Sequence, residues 1–265
     1  MAEIITYSAA SGMQAAMNEI TNRTNNLGNV NSLGYKTIET ETKDTFYNHI
    51  TKAGMPQAGD AEPRPVGVDM GTGVKVTGAY RNLSQGAIKQ TSNVLDMSIK
   101  GSGYFSIQLP DGRRALTRAG AFQVNRNRQI VTSDGYPLTN ELEAIPENAQ
   151  TQTINISSFG VVTVDQQEGD AIQKLELGRI QIVNVPNERG LEAMGGSLFL
   201  ETEASGEAQE LDPEDGLYQI GQHELELSNV DVSTEFASFL AAQQAYDMSA
   251  RMLRAVDEMM KELNK

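Results

Sequence analysis

The chain has 265 residues, 39% of them hydrophobic and 21% charged, with 24 Gly and 8 Pro, a slightly polar globular composition sized for about two domains. Lys and Arg number 21 against 35 Asp and Glu, and a net charge of −14 argues against a nucleic-acid clamp, which needs surplus cations to displace counterions. Zero Cys and only two His, His49 and His223, exclude disulfide frameworks, thiol nucleophiles and Cys-ligated metals and leave little for His-based catalysis.

Met1 to Gly12 lack a basic stretch followed by a continuous apolar run, so no cleavable signal peptide is expected. No apolar run approaches the roughly 20 residues that span a bilayer, so no direct membrane insertion is expected either. A cytoplasmic chain, or one exported without a cleaved signal, fits these features. From Ile4 to Leu27 no Pro interrupts a helical pattern. Met13, Met17, Ile20, Thr24 and Leu27 recur at alternating spacings of 4 and 3, the seam period of a coiled coil. Asn22, Asn25, Asn26, Asn29 and Asn31 crowd the helix end, and Asn tolerates left-handed backbone while its amide satisfies free carbonyls. The cluster reads as a helix stop and a shaped turn, after which Gly34 frees the backbone before Tyr35-Lys36.

Residues 53 to 65 hold three Pro and two Gly and read as an extended or mobile linker. From about 68 to 200 short β-rich runs alternate with turn signals. Val74-Lys75-Val76, Tyr104 to Ile107, Ile154 to Ile156, Val161 to Val164 and Ile180 to Val183 are the strand candidates. Asp111-Gly112 and Asp134-Gly135 suggest hairpins of type I′, whose two central residues take positive φ. The pattern predicts an antiparallel sheet folded on itself. Charge is segregated along the chain. Residues 100 to 133 carry Lys100, Arg113, Arg114, Arg118, Arg126 and Arg128 against Asp111 alone. Residues 201 to 226 carry nine acids, Glu201, Glu203, Glu207 and Glu210 among them, and no Lys or Arg. Such runs are either solvated faces or complementary patches that meet between copies.

The last segment reads as a second helix, with Asp231 or Ser233 as its N-cap. Val232, Phe236, Phe239, Gln243, Tyr246, Ala250, Leu253, Val256 and Met260 follow the same mixture of 3 and 4 spacings. Both seams are soft, built from Ala, Met, Thr and Gln more than Leu. Two amphipathic helices on one globular core, or a helical hairpin projecting from a β-rich body, satisfy the pattern; pairing at opposite termini favours the hairpin. The fold expected is α+β, with terminal helices pairing as a coiled coil around a central, mainly antiparallel β domain.

Catalytic motifs are absent from the sequence. No G-x-S-x-G elbow presents a Ser, and His223-Glu224 has no second His four residues after the first. Gly71-Thr72-Gly73 and Gly101-Ser102-Gly103 lack the remainder of a dinucleotide or phosphate loop. Asp212-Pro213-Glu214-Asp215-Gly216 lacks the twelve-residue calcium loop and its closing Glu. No enzyme, metal or cofactor is expected, and no nucleic acid as partner.

The specific signal is Asn25-Asn26-Leu27-Gly28-Asn29-Val30, followed by Gly34-Tyr35-Lys36. It resembles the Asn-Asn-Leu-Ala-Asn-Val…Gly-Phe-Lys signature of the bacterial flagellar rod, hook and hook-associated axial proteins, with Gly28 for the usual Ala and Tyr35 for Phe. The C-terminal Ser228-Asn229-Val230-Asp231-Val232 and Gln243-Gln244-Ala245-Tyr246 resemble that family's closing helix, Gln244 standing where Arg is common. Leu95 to Phe105 and Leu116 to Phe122 follow the rod pattern, except that Arg126-Asn127-Arg128 replaces an Asx-Gly turn. With Gly71-Thr72-Gly73-Val74 the likeness points to the distal-rod branch, a proximal-rod or hook-type relative being the alternative.

That resemblance implies a structural subunit of the flagellar basal body, secreted unfolded by the flagellar type III export apparatus and polymerising in the periplasm. Residues 1–36 and 228–265 are then the inner core of a helical homopolymer around an export channel. Residues 37–90 and 201–227 connect it to an outer β-rich domain at 91–200. A stretch near 46–66 lies where rod proteins carry an extension that the hook protein largely lacks. The partners implied are the chain itself, proximal rod proteins, the hook protein and the surrounding P and L rings. The rival class is a soluble interaction module whose helices dock on its own core.

Overall fold

The structure, a computed structural model, describes residues 2–51, 66–139, 142–146, 148–149, 153–168, 171–213 and 216–263. The Pro-rich stretch 53–65, and with it most of the segment near 46–66, lies outside the described residues. The fold is α+β, in two compact units: Met1–Gly28 with Ile38–Tyr80 and Asp231–Lys265, and Asn29–Thr37 with Arg81–Val230.

The first unit holds helix α1 (Ala2–Gly28), strands β1 (Ile38–Asp44), β2 (Tyr47–Thr51), β3 (Val68–Gly71) and β4 (Val74–Arg81), and helix α2 (Val232–Leu263). β1 pairs with β4, and β2 with β3 antiparallel. α1 ends within one residue of the expected stop: Asn22, Asn25 and Asn26 lie inside its last two turns, and the chain leaves the helix after Gly28. Asp231 is the N-cap of α2. Its Oδ1 accepts from the Ser233 N–H at 2.9 Å and its Oδ2 from the Thr234 hydroxyl at 3.0 Å.

The helices pack antiparallel, with Arg23 and Asn26 beside Glu235 and Gly12 beside Ser249. Facing α2, α1 presents Ala9 and Ala16, both buried, and half-buried Met13, Ile20, Arg23 and Leu27. Facing α1, α2 presents buried Glu235, Ala242 and Val256 and half-buried Phe239, Tyr246, Ser249 and Leu253. Both sets repeat at spacings of 4 and 3. Ala9 and Ala16 thus complete the buried stripe, and Met17 and Thr24 lie on the exposed side of α1.

Among the described residues the second unit has fifteen strands: β5 (Ile88–Gln90), β6 (Met97–Gly101), β7 (Tyr104–Gln108), β8 (Arg114–Thr117), β9 (Phe122–Val124), β10 (Ile130–Thr132), β11 (Asn155–Ile156), β12 (Val161–Glu168), β13 (Ala171–Arg179), β14 (Ile182–Asn184), β15 (Glu192–Gly195), β16 (Leu198–Leu200), β17 (Gln209–Glu210), β18 (Tyr218–Gln222) and β19 (Glu224–Glu226). A six-stranded sheet runs β15-β16-β8-β7-β14-β17; β6 pairs with β18, β5 with β19, β9 with β10, and β11-β12-β13 form a meander. The pairings within it are antiparallel.

Alternation along β7 sends Phe105 and Ile107 into the main core, with Met97, Ile99, Phe122 and Ile182, and Tyr104 into a smaller cluster with Leu116, Val183 and Phe199. Phe105 meets Phe122 edge-on at 5.2 Å, and burying each ring contributes about 1.5–3 kcal/mol. Two local expectations are corrected. The strand read from Ile180 begins at Ile182. At Asp111-Gly112 and at Asp134-Gly135 only the Gly has positive φ, +83° and +87°, while its N–H bonds Leu109 O at 3.0 Å in the first and Thr132 O at 2.9 Å in the second. Each is the longer hairpin loop in which a left-handed Gly follows the turn, not type I′.

Candidate functional site

The helix pair leaves a second face on each helix. On α1, Tyr7, Ala10, Gln14, Met17, Thr21 and Thr24 are exposed at spacings of 3 and 4. On α2, Ala241, Ala245, Met248, Met252, Ala255 and Met259 are exposed at spacings of 4 and 3, with Met248 66% and Met252 62% accessible. The stripes expected from sequence mixed the two faces. Met13, Ile20, Leu27, Phe239, Tyr246, Leu253 and Val256 belong to the α1–α2 contact, while Met17, Thr24, Val232, Phe236, Gln243 and Met260 are exposed and Ala250 is half-buried. The Met248–Met252–Met259 stripe escaped the sequence reading, although the same period marks it. A single chain offers a helix two overlapping registers, and only the fold selects one.

The Asn cluster is a set of cross-links. Asn22 Nδ2 donates to Thr40 Oγ1 at 2.7 Å. Asn26, fully buried, donates to Ile38 O and to Glu235 Oε2, both at 3.0 Å, and accepts from the Ile38 N–H at 2.9 Å. Arg23 completes the site, bonding Glu235 at 2.9 Å and Glu19 at 2.7 Å. Asn29 Oδ1 accepts from the Ser32 hydroxyl at 3.0 Å. Asn25 is exposed on α1, Leu27 and Val30 are half-buried, and Asn26 alone of these reaches the interior. Glu235 is the partner that sequence reasoning missed; an acid one turn past an Asp cap looks like an ordinary helix start.

Gly34-Tyr35-Lys36 forms a second site, within the second unit. Gly34 has φ of +63°, and a Cβ there would lie 2.5 Å from Ala119 N and 2.7 Å from Arg118 C. Only Gly fits that close approach. Lys36, with a fully buried side chain, donates to Glu226 Oε1 at 2.6 Å and to Ser84 O at 2.7 Å. Burial pushes the Lys36 ammonium below its ordinary 10.5, and the Glu226 carboxylate opposes that shift. Glu226 also takes the Gly86 N–H at 3.0 Å and Arg118 at 3.3 Å. Asn229 laces the neighbouring backbone, accepting from the Thr37 N–H at 2.9 Å and donating to Asn82 O at 2.8 Å. Tyr104, stacked 5.2 Å from the Arg118 guanidinium, has its phenol held well above the usual range by burial and then by the Glu188 carboxylate.

The segregated charges meet inside one chain. Arg114 bonds Glu201 at 2.9 Å, Arg118 bonds Glu226, and Lys100 bonds Glu224 at 2.8 Å, each joining the basic stretch to the acidic one. Arg118 is 4% exposed, which corrects its expected place on a patch between copies: a buried guanidinium cannot face a neighbour. Arg128 donates to Pro146 O at 2.6 Å and Ala149 O at 3.2 Å, and exposed Arg113 bonds Asp111 at 2.6 Å. Arg126, Glu203, Glu207 and Glu210 stand exposed on the surface. Among the described residues no group of three or more His, Asp or Glu is placed to hold a metal ion, and no helix is long and apolar enough to cross a membrane.

Residues 98–164 match the family model described as the flagellar hook protein FlgE/F/G D1 domain, and residues 222–265 that of the flagellar basal body rod FlgEFG protein C-terminal region. The chain is 42% identical to the flagellar basal-body rod protein FlgG of Caulobacter vibrioides, covering 95% of each chain. It is 36% identical to that of Borreliella burgdorferi, over 96% of this chain and 95% of the relative. The corresponding protein of Bacillus subtilis is 32% identical, over 97% of this chain and 96% of its own length.

Proposed function

The chain belongs to the flagellar basal-body rod protein family, on the side of the distal rod, and from that membership we propose that it polymerises into the helical distal rod, the drive shaft that carries torque from motor to hook. It is a structural subunit located in the flagellar basal body, working within an assembly of flagellar components. The finer reading is ours. Export without a cleaved signal, assembly in the periplasm, a central export channel, and contacts with proximal rod proteins, hook protein and the P and L rings complete it.

The observation that carries the reading is the pair of open helix faces. A hairpin with one satisfied seam and one exposed seam on each helix is half of a larger helical layer. The α1 face (Tyr7 to Thr24) and the α2 face (Ala241 to Met259) are chemically different, so a copy meets its neighbour through unlike surfaces. Such a heterologous contact, if its rotation does not close, propagates as an open filament. In this reading residues 1–36 and 228–265 pair in coiled-coil fashion and form the inner layer. Residues 37–90 and 201–227 connect it to the outer domain 91–200, and the stretch near 46–66 packs between subunits to stiffen the polymer.

The test substitutes the outward face alone. Met248→Glu with Met252→Glu should leave the helical signal and melting of the purified monomer unchanged and abolish both rods on electron micrographs and motility in a complemented null strain. Normal rods from that variant would reject the assembly role of the face. Removing residues 46–66 should yield rods that bend; equally straight rods would reject the stiffening role.

A further inference from the structure

Glu226 is fully buried and faces two cations from different segments: Lys36, in the turn after α1, and Arg118, just past β8. One carboxylate therefore serves two buried positive charges. Arg118 has other support, since its guanidinium donates to Gly101 O at 2.9 Å and stacks 5.2 Å from the Tyr104 ring. Lys36 has less, with Ser84 O as its other polar contact at 2.7 Å. The backbone around Lys36 is laced to the same place: the Gly34 N–H donates to Glu226 O at 3.0 Å and the Thr37 N–H to Asn229 Oδ1 at 2.9 Å.

The contacts close into a ring. Tyr35, next to Lys36, lies 5.8 Å from the Arg81 guanidinium, which sits 5.7 Å from the Phe199 ring; Phe199 meets Tyr104 edge-on at 6.1 Å, and Tyr104 faces Arg118. Cation–aromatic contacts tolerate loss of one member, because each ring keeps its apolar neighbours. The ionic link does not. A buried ammonium stripped of its counter-ion is strongly destabilised, and it regains hydration only by leaving.

We propose that Glu226 is a conformational clasp: a shared counter-ion whose charge keeps the Gly34–Thr37 segment seated on the β body, and without which that segment releases while the sheet core stays folded. The three ionic groups act as one unit, so their substitutions combine with reversed sign. Removing Lys36 alone opens the segment partly. Removing it after Glu226 has been neutralised closes the segment again, because the stranded charge is gone.

Hydrogen exchange by mass spectrometry on the full chain tests this, with the amides of Gly34 and Thr37 as reporters and those of Phe105 to Ala115 as the control. Glu226→Gln should speed exchange at the reporters about 100-fold and leave the control unchanged. Adding Lys36→Met to Glu226→Gln should recover at least about 10-fold of that loss, although Lys36→Met alone also speeds exchange. Additive effects of the two substitutions, or unchanged reporter exchange in Glu226→Gln, would overturn the clasp. If Glu226→Gln does not fold, the neutral triple variant Lys36→Met, Arg118→Met, Glu226→Leu decides: native protection of the control strands supports the clasp, and failure to fold refutes it.

Discussion

The buried amide of Asn26 donates to Glu235 Oε2 at 3.0 Å and so ties the last turn of α1 to the first turn of α2. The same side chain exchanges two hydrogen bonds with the Ile38 backbone, which makes it the node where two helices and the departing strand are fixed. Asn26→Ala leaves those partners unsatisfied and should cost about 2–4 kcal/mol of helix-pair stability. Asn26→Asp should cost more, since it replaces the donor with a second carboxylate against Glu235. Urea titration followed by helical circular dichroism measures both; an Asp variant as stable as the native chain would refute the role assigned to the amide.

Gly34 combines a left-handed φ with a close backbone neighbour: a Cβ added to it would lie 2.5 Å from Ala119 N, a backbone atom that cannot rotate aside. Gly34→Ala should lose about 2–5 kcal/mol, about 1–2 from conformation and the rest from overlap. Gly112, also at positive φ but with open space around it, is the control. Gly112→Ala should lose about 1–2 kcal/mol by thermal melting, the conformational part alone.

Arg128 stands at φ of +59°, a left-handed backbone that favours Gly, and its guanidinium bonds two carbonyls, Pro146 O and Ala149 O. Arg128→Ala keeps the strain and loses the bonds; Arg128→Gly loses the bonds and relieves the strain. The Gly variant should be the more stable of the two by about 1 kcal/mol, while both fall below the native chain. Equal stabilities in paired denaturation curves would show that the conformation carries no cost.

Glu224 is held below its ordinary 4.5 by the Lys100 hydrogen bond first and by Ser98 as well. A carboxylate depressed in the folded state stabilises the fold above the unfolded value and loses that contribution as pH falls through the folded one. Glu224→Gln should therefore lower stability near neutral pH and flatten the dependence below about pH 4.5. Melting temperatures of both chains across pH 3 to 7 check the sign, and parallel curves would contradict it.

Much of the fold was legible because its signals are local. Helix limits, the antiparallel strands and the Asp231 cap follow from periodicity, turn residues and a side chain bonding its own neighbours. The pairing of Glu226 with Lys36 and Arg118 was not. In the sequence Glu226 is one acid in a run of nine and Arg118 one Arg in a basic stretch, and both read as surface. Charge separated by 190 and 108 residues has no local mark.

By itself the sequence determined what the chain is: two soft amphipathic helices at the ends, a β-rich middle, no catalytic constellation, and an Asn-rich signature pointing to the flagellar axial proteins. Tertiary structure decided which of two overlapping stripes each helix buries and which it leaves exposed. Ala9, Met13 and Ala16 fall on the face that α2 covers, and Met17, Met248 and Met252 stay exposed. Local pattern lists the faces a segment can bury; only the partner that arrives, and how near its backbone must come, selects among them.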